Sequence, residues 1–369
     1  MPDVAAADAG VGDGGSGEVD GGDAGPAAPD RGRWRIRWTQ SADFPTIIDH
    51  HTTFVGRSLS VPGTSALYVI GGQVTQTEEL FDTIYAAGIL PDGGLGPWAQ
   101  VGTLPRPRAF HGIAANTGDG TYLAGGITDG PSGAGALGEV SRLVILNDMT
   151  LSTDGYSFFN QAALHPTFDS VRDQLVMVGG SGAAGPLTSV WTVSQKVDAF
   201  GMQPDGGFAA VAAQAARLPI ARSHHLSVVY RGHLYLLGGF TTGDLPLSVI
   251  HRSRHDDAGI IVGWDEAGTM PDPPWTHSGF VHDDAVFVVG GGSFGATTWL
   301  QRIRRAPFLA DGGVGVFEDV LDGLPVGRAH VHQTPFHQGL IYTVGGRAEL
   351  PRGGFGSIER VDIGRLERE

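Results

Sequence analysis

Short apolar runs that end in a glycine pair divide the chain into repeats. Each run is rich in β-branched and aromatic residues and is followed directly by Gly-Gly. Runs of this length, bounded by glycines, are typical of buried β-strands rather than helices. The first glycines of successive pairs lie 52 to 59 residues apart. With their glycines, the six runs are Leu67–Gly72, Thr121–Gly126, Leu175–Gly180, Leu234–Gly239, Val286–Gly291 and Ile341–Gly346.

A second landmark, an aromatic residue followed by an apolar residue and a proline, recurs in phase with the glycine pairs. Trp38, Trp98 and Trp264 each precede a proline by seven residues. Asp-Gly between β-patterned runs is a strong hairpin signal, and it precedes several of the aromatic residues. These pairs are Asp92-Gly93, Asp154-Gly155, Asp205-Gly206 and Asp311-Gly312. Each repeat therefore predicts four short strands joined by tight turns.

Four-stranded units repeated at this period are typical of propeller blades. The repeats resemble the kelch motif in its bacterial form, in which Leu-Pro-x-x-Arg-x-x-His precedes the Gly-Gly strand, as at Leu104–His111. The resemblance covers Arg33 to about Ile363. It implies an all-β fold, a six-bladed β-propeller of four-stranded antiparallel blades within residues 31–369.

The two ends of the repeat region are incomplete in complementary ways. Arg33–Trp38 looks like a fourth strand without the preceding three, and Ser357–Ile363 looks like a third strand without a fourth. We therefore expect the N-terminal strand to complete the last blade and close the ring. Closure would leave no exposed sheet edge for aggregation.

Residues 1–30 are predicted to form a disordered acidic linker of Gly, Ala and Asp. The segment contains seven acidic residues, no basic residue and no aromatic residue. Such a segment cannot bury enough apolar surface to offset its ordering entropy. Its composition resembles the linker that follows the lipidated cysteine of bacterial surface lipoproteins. That resemblance implies an extracytoplasmic location in a bacterium, at a surface or secreted.

Composition excludes several classes of protein. The net charge is −15, which argues against nucleic acid as the main partner because phosphate binding needs a basic surface. The absence of cysteine excludes disulfides, thiolate metal ligands and cysteine nucleophiles. The longest apolar runs are far shorter than the roughly 20 residues of a membrane helix. We expect a monomer, because a closed ring needs no partner for stability.

Recurring arginines suggest a binding face. Arg108, Arg222 and Arg328 each lie three residues after a proline, and Arg347 follows Gly-Gly directly. Arginine suits bidentate recognition of carboxylate or phosphate, and aromatic residues in the same loops could stack on a ring. The predicted ligand site comprises Arg108, Arg222, Arg328, Arg347, Trp275 and Phe240. The alternative is that the repeated arginines anchor loops and neighbouring blades, which repetition in successive blades favours.

Histidines also recur in phase, six residues after a proline in four repeats. On the innermost strands these imidazoles could converge on a divalent metal ion in the central channel. The alternative is that they form hydrogen bonds between blades. No other cofactor is predicted. The candidate metal ligands are His51, His111, His225, His277 and His332.

Two classes of function remain open at the sequence level. One is a surface-tethered recognition propeller for an anionic small molecule, a glycan or a protein. The other is an enzyme, of which a kelch-type mutarotase or epimerase acting on a sugar acid is the nearest analogy. Its acid and base could be Asp169 with His111 or His225. A metal-dependent lyase or hydrolase using the channel histidines is the further alternative.

Overall fold

The computed structural model describes residues 33–369, except for residues 59–62, 118–119, 130–134, 146–150, 159–161, 183–184, 195–212 and 295–297. The linker predicted at residues 1–30 lies outside the described residues. The regular elements that the structure describes are β-strands, so the all-β prediction is confirmed. A helix long and apolar enough to cross a membrane does not occur among these residues.

The strands form six four-stranded antiparallel sheets within the described residues. In five of these sheets the strands follow one another along the chain. Most of the five are interrupted by a short hairpin that comes after Gly-Gly. The glycine pair always lies at the end of the second strand. This arrangement is the one that the repeat predicts.

Sheet 1 comprises Thr52–Arg57, Ser65–Ile70, Thr83–Ile89 and Leu95–Thr103, and sheet 2 comprises Gly112–Thr117, Gly120–Ala124, Glu139–Ile145 and Leu151–Phe158. Sheet 3 comprises Thr167–Val171, Gln174–Val178, Val190–Ser194 and Ala213–Gln214, and sheet 4 comprises Leu226–Tyr230, His233–Leu237, Val249–His255 and Ile261–Thr269. Sheet 5 comprises Ser278–His282, Ala285–Val289, Ile303–Pro307 and Glu318–Asp319, and sheet 6 comprises Phe336–His337, Leu340–Val344, Val361–Arg368 and Trp34–Gln40.

The N-terminal strand belongs to the last sheet. Trp34–Gln40 pairs antiparallel with Val361–Arg368, from Trp34 opposite Arg368 to Gln40 opposite Asp362. Ile36 in this strand is fully buried in a cluster shared with sheet 5. Sheet 6 therefore combines strands from both ends of the described chain, as the incomplete terminal repeats predict.

Hydrophobic side chains pack between successive sheets. The described residues contain six buried clusters, one for each pair of neighbouring sheets. The cluster between sheets 6 and 1 joins Tyr342 and Val344 to Leu67 and Val69. Each sheet is thus covered on both faces, which explains why the second strands are apolar at nearly every position.

The glycine pairs make the close approach of neighbouring sheets feasible. Both glycines of each pair have positive φ, for example 62° at Gly238 and 75° at Gly239. A Cβ atom on Gly71 would lie 2.3 Å from the carbonyl oxygen of Arg108, which enters the next sheet, and one on Gly239 would lie 2.3 Å from that of Ser223, which enters its own sheet. The N–H of the second glycine donates to a carbonyl of the segment entering the next sheet, over 2.7 to 3.0 Å. These six bonds run from Gly72 to Arg108, Gly126 to Ala163, Gly180 to Arg222, Gly239 to Pro274, Gly291 to Arg328 and Gly346 to Ile48.

The Asp-Gly pairs have two different roles. Asp92 and Asp311 lie in turns, where each carboxylate accepts a hydrogen bond from the backbone two residues later. Asp154 instead lies within a strand opposite Arg142, and the register shifts beside Gly155. The hairpin predicted there is wrong, because Gly155 provides the extra residue of a β-bulge. The pair at residues 205–206 lies outside the described residues.

The contact at the second glycine can be tested with Gly239→Ala and the matched control Gly243→Ala. Gly243 also has positive φ, at 77°, but nothing lies within 4 Å of an added Cβ atom. We expect Gly243→Ala to lower the free energy of unfolding by about 1 to 2 kcal/mol, the cost of the left-handed backbone. Gly239→Ala should lose about 2 kcal/mol more, because its new methyl group meets backbone. Equal losses in urea denaturation would contradict this account.

Candidate functional site

Six residues with a left-handed backbone meet where the first strands of the six sheets begin. Their φ values lie between 48° and 60°. Backbone hydrogen bonds of 2.9 to 3.1 Å join neighbours, for example from Phe110 N to His50 O and from His50 N to His330 O. This conformation is strained for residues other than glycine and is concentrated at functional sites. We call these residues the central ring: His50, Phe110, His165, His224, Thr276 and His330.

Imidazole side chains of the central ring pack against one another. The ring centroids of His165 and His224 are 3.6 Å apart, and those of His50 and His330 are 4.1 Å apart. His332, two residues beyond the ring in sheet 6, lies 5.3 Å from His165 and 5.8 Å from His50. Five imidazoles from four sheets therefore form one group, the histidine cluster: His50, His165, His224, His330 and His332.

Burial keeps the histidine cluster neutral. It lowers the pKa of His224 to about 3 and that of His332 to about 4. It also lowers the pKa of His50, His165 and His330 well below the usual value, and neighbouring imidazoles lower it further. A neutral imidazole carries one N–H donor and one lone pair. At neutral pH the cluster can therefore donate hydrogen bonds, accept them or coordinate a metal ion.

Half-buried aromatic side chains border the histidine cluster on the side of sheets 4, 5 and 6. Phe240 stacks on His224 with 4.6 Å between ring centroids. Trp275 and Trp299 each lie edge-on to His330, at 5.7 and 5.5 Å. Trp275 also contacts Phe294 at 6.3 Å, and Trp299 contacts Phe355 at 5.2 Å. We call this group the aromatic rim: Phe240, Trp275, Phe294, Trp299 and Phe355.

Arg347 is the predicted ligand-binding arginine that lies beside this group. It is half-buried, and its backbone pairs with Ala329, next to His330. Its positive charge contributes to the lowered pKa of His50 and His330. Its Nε atom is buried and has no hydrogen-bond partner in the described part of the chain. Three predicted ligand residues, Arg347, Trp275 and Phe240, thus border one group of neutral histidines.

Arg108, Arg222 and Arg328 do not form the predicted ligand site, because all three are buried and bonded within the fold. The Arg108 guanidinium pairs with Glu139. Arg222 donates to the carbonyl oxygens of Gly238 at 3.0 Å and Val249 at 2.8 Å, and burial lowers its pKa to about 10.

Arg328 shows why this arginine recurs. Its guanidinium binds Asp362 at 2.5 Å and the carbonyl oxygen of Gly345 at 3.1 Å, within and at the edge of sheet 6, which follows Arg328 in the chain. Its backbone carbonyl accepts the hydrogen bond of Gly291 from the preceding sheet. The repeated arginine therefore joins two sheets, which is the structural alternative raised by its repetition.

Four of the five predicted metal ligands are also structural. His111 bonds through Nε2 to Thr52 at 2.9 Å, and His225 bonds to Thr167 at 3.1 Å. His277 lies against Gly238 of sheet 4, where an added Cβ atom would be 2.6 Å from its Cε1. His51 is fully buried and interacts with the backbone of Val344 in sheet 6. These imidazoles occupy separate interfaces between sheets instead of converging. Of the predicted ligands only His332 belongs to the histidine cluster.

A cavity of about 90 Å³ opens beside the histidine cluster and is lined by both Asp169 and His225. Asp169 accepts a hydrogen bond of 2.5 Å from Ser227. Burial raises the pKa of Asp169 to about 6. His111, the other candidate base, does not line this cavity. Of the acid–base pairs considered from the sequence, Asp169 with His225 is thus the pair that shares a cavity.

The residues that sequence reasoning missed are those of the central ring. His50 and His224 directly precede the predicted ligands His51 and His225. His50 and His224 have positive φ, at 52° and 56°, and this left-handed backbone turns the first histidine of each pair away from the second. The repeated His-His pairs were the available signal. The left-handed backbone that turns the first histidine inward has no signature in composition.

The claim that the repeated arginine joins two sheets can be tested at Arg328. Removing one partner of a buried ion pair costs about 3 to 5 kcal/mol when it leaves an uncompensated charge. The low end applies here, because Asp362 keeps Arg360 as a second partner at 2.8 Å. We therefore expect Arg328→Met to lower the free energy of unfolding by about 3 kcal/mol, and Arg328→Met with Asp362→Leu to recover part of that loss. Chemical denaturation of the two variants checks this. Full stability of Arg328→Met would contradict the assignment.

Asp169 predicts a pH-dependent effect. Its folded-state pKa lies above the ordinary value of 3.8, so folding favours the protonated carboxyl. The associated stability is present below about pH 4 and is lost as the pH rises through about 6. Asp169→Asn should therefore raise the free energy of unfolding at pH 8 by about 3 kcal/mol, with no gain at pH 4. A gain that is the same at both pH values would contradict this prediction.

Comparison with known proteins adds the family context. No protein-family model matches the chain. Over 230 residues, 61% of this chain, it is 26% identical to Kelch-like protein 36 of Bos taurus and 25% identical to that of Mus musculus. The matched region spans 33% of the length of these relatives.

A solved structure described as "Structure of YjhT" superposes with a TM-score of 0.62 at 12% sequence identity. It covers 89% of this chain and 99% of that chain. At this identity the likeness concerns the fold alone. Together with the six glycine-pair repeats, each at the end of a second strand, these similarities support a kelch-repeat β-propeller fold for the chain.

Proposed function

We propose that the protein is a recognition propeller that binds a small organic anion, free or at the end of a glycan or acidic peptide. The binding site is the aromatic rim beside Arg347. The observation that carries the proposal is the position of Arg347, whose backbone pairs with Ala329 next to His330, while the indoles of Trp275 and Trp299 lie 5.7 and 5.5 Å from the same imidazole. Ligand sites are typically apolar with a few convergent polar groups, which is the composition of this rim.

Each part of the rim has a separate task in this proposal. Arg347 pairs with the carboxylate or phosphate of the ligand through charge-assisted hydrogen bonds. Trp275 and Phe240 offer half-buried aromatic faces to a sugar ring or an apolar body. The neutral imidazoles of His224 and His330 can donate to hydroxyl oxygens or accept from them. A cationic ligand is disfavoured by the charge of Arg347.

The extracytoplasmic, surface-tethered location is also part of the proposal. It rests on the acidic Gly, Ala and Asp composition of residues 1–30. A propeller on an extended linker could meet ligands at a distance from the surface that holds it. Fractionation of the native host, with detection of the protein in the cytoplasm alone, would overturn this part without affecting the ligand site.

The binding site can be tested by titrating the protein with sugar acids and aromatic carboxylates, each beside its uncharged amide. Two of the seven tryptophans, Trp275 and Trp299, lie in the rim, so intrinsic fluorescence reports binding. Arg347→Gln should weaken the binding of carboxylates about 10- to 100-fold, because hydrogen bonds to charged groups contribute about 1.5 to 3 kcal/mol. Binding of the amides should change little.

Arg352→Gln is the matched control, because Arg352 is exposed in the same loop. It removes the same charge from the same segment and should leave binding unchanged. Trp275→Leu should weaken carboxylates and amides alike, since it removes the stacking surface. Equal effects of Arg347→Gln and Arg352→Gln, or a carboxylate bound no more tightly than its amide, would contradict the proposal.

A further inference from the structure

We propose that His50, His165 and His332 bind a divalent transition-metal ion. The three residues come from sheets 1, 3 and 6, and each offers one ring nitrogen. These nitrogens all lie within 4.8 Å of one another. No other trio of histidine, aspartate and glutamate ligands in the described residues meets that distance. This trio differs from the set of metal ligands expected from the sequence and shares only His332 with it.

The environment of His50 supports a role as a ligand. Its Nδ1 atom bonds to the carboxylate of Asp49, which is fully buried. Asp49 accepts further hydrogen bonds from Thr75 at 2.5 Å and Ser357 at 2.6 Å. A carboxylate that holds one nitrogen of an imidazole leaves the lone pair on the other, and this pairing is characteristic of metal-binding histidines.

The other two histidines have buried nitrogens without partners. In the described part of the chain, neither His165 Nδ1 nor His332 Nε2 forms a hydrogen bond. A buried polar atom in this state costs about 1 to 3 kcal/mol. Native structures have few such atoms, and an ion is one explanation.

The chemistry of the ligands indicates the class of metal. Three neutral imidazoles suit zinc, copper or nickel, whereas calcium and magnesium need oxygen ligands. In tetrahedral zinc sites, metal–nitrogen distances of about 2.0 to 2.1 Å place the nitrogens roughly 3.4 Å apart. The three imidazoles would therefore have to move together by about 1 Å. The adjoining cavity, lined by His165 and His332, gives space for a fourth ligand such as water.

The alternative is that these imidazoles only pack against each other, as the stacking of His165 on His224 at 3.6 Å allows. Packing and coordination can be separated experimentally. A phenylalanine can replace the packing surface of an imidazole but cannot coordinate a metal ion. A glutamine replaces part of its volume and retains polar groups.

The test uses the full chain, purified without a polyhistidine tag and stripped of metal with a chelator. We expect zinc and nickel chloride to bind in isothermal titration calorimetry at one equivalent per chain, and zinc to raise the melting temperature. His50→Phe and His332→Gln should each weaken binding at least 10-fold. Asp49→Asn should weaken it about 10- to 100-fold, the usual effect of losing the carboxylate behind a ligand.

His337→Gln is the matched control, since His337 lies in the first strand of sheet 6 outside the histidine cluster, and it should bind metal as the unaltered chain does. If His50→Phe fails to fold, His332→Gln, at a half-buried residue, decides the question. Absence of saturable binding, or equal binding by His332→Gln and His337→Gln, would overturn the proposal. Because no organic anion is present in the titration, its outcome is independent of the proposed ligand site.

Discussion

The structure depends on a single backbone contact that recurs in every repeat. The second glycine of each pair donates its N–H to a carbonyl of the segment entering the next sheet, including the step from Gly346 in sheet 6 to Ile48 before sheet 1. A side chain at the first glycine would meet atoms of the segment entering the next sheet, and one at the second glycine would meet atoms of the segment entering its own sheet. Glycine accepts the required positive φ without steric cost. Adjacent sheets can therefore approach closely enough to bury the apolar second strands.

The close approach of the sheets determines which side chains meet in the central ring and therefore how polar that region is. The segments that accept the glycine hydrogen bonds continue directly into the central ring, so six side chains meet where the first strands begin. Four of them are imidazoles, and burial makes these weak bases. The centre is thus rich in nitrogen but uncharged at neutral pH. Such an environment favours metal coordination and hydrogen bonding over attraction of anions by charge alone.

Repetition separates structural residues from those that have a different role. Arg222 and Arg328 recur in phase and each binds a carbonyl oxygen at the edge of the sheet that follows it in the chain. His111 and His225 also recur, and each bonds to a threonine of the preceding sheet. Arg347 and the aromatic rim do not recur in every repeat. Packing imposes the same constraints on each sheet, so residues that recur are explained by packing. Residues that do not recur, such as Arg347 and the aromatic rim, are free to form a binding site.

The sequence by itself determined the β-strand content, the positions of the second strands and the pairing of the two ends of the repeat region. These properties follow from local patterns, since alternation, apolar runs and glycine pairs act over a few residues. Arg347, Trp275 and Phe240, selected from the sequence as ligand residues, border one group in the structure, and their role in binding stays a prediction. The sequence did not reveal that Arg108 is paired with Glu139 or that His50 rather than His51 points to the centre. Only the tertiary structure decided these two features. The direction of the His50 side chain depends on a strained, left-handed backbone, and hydrogen bonds between residues distant in the sequence hold that backbone in place.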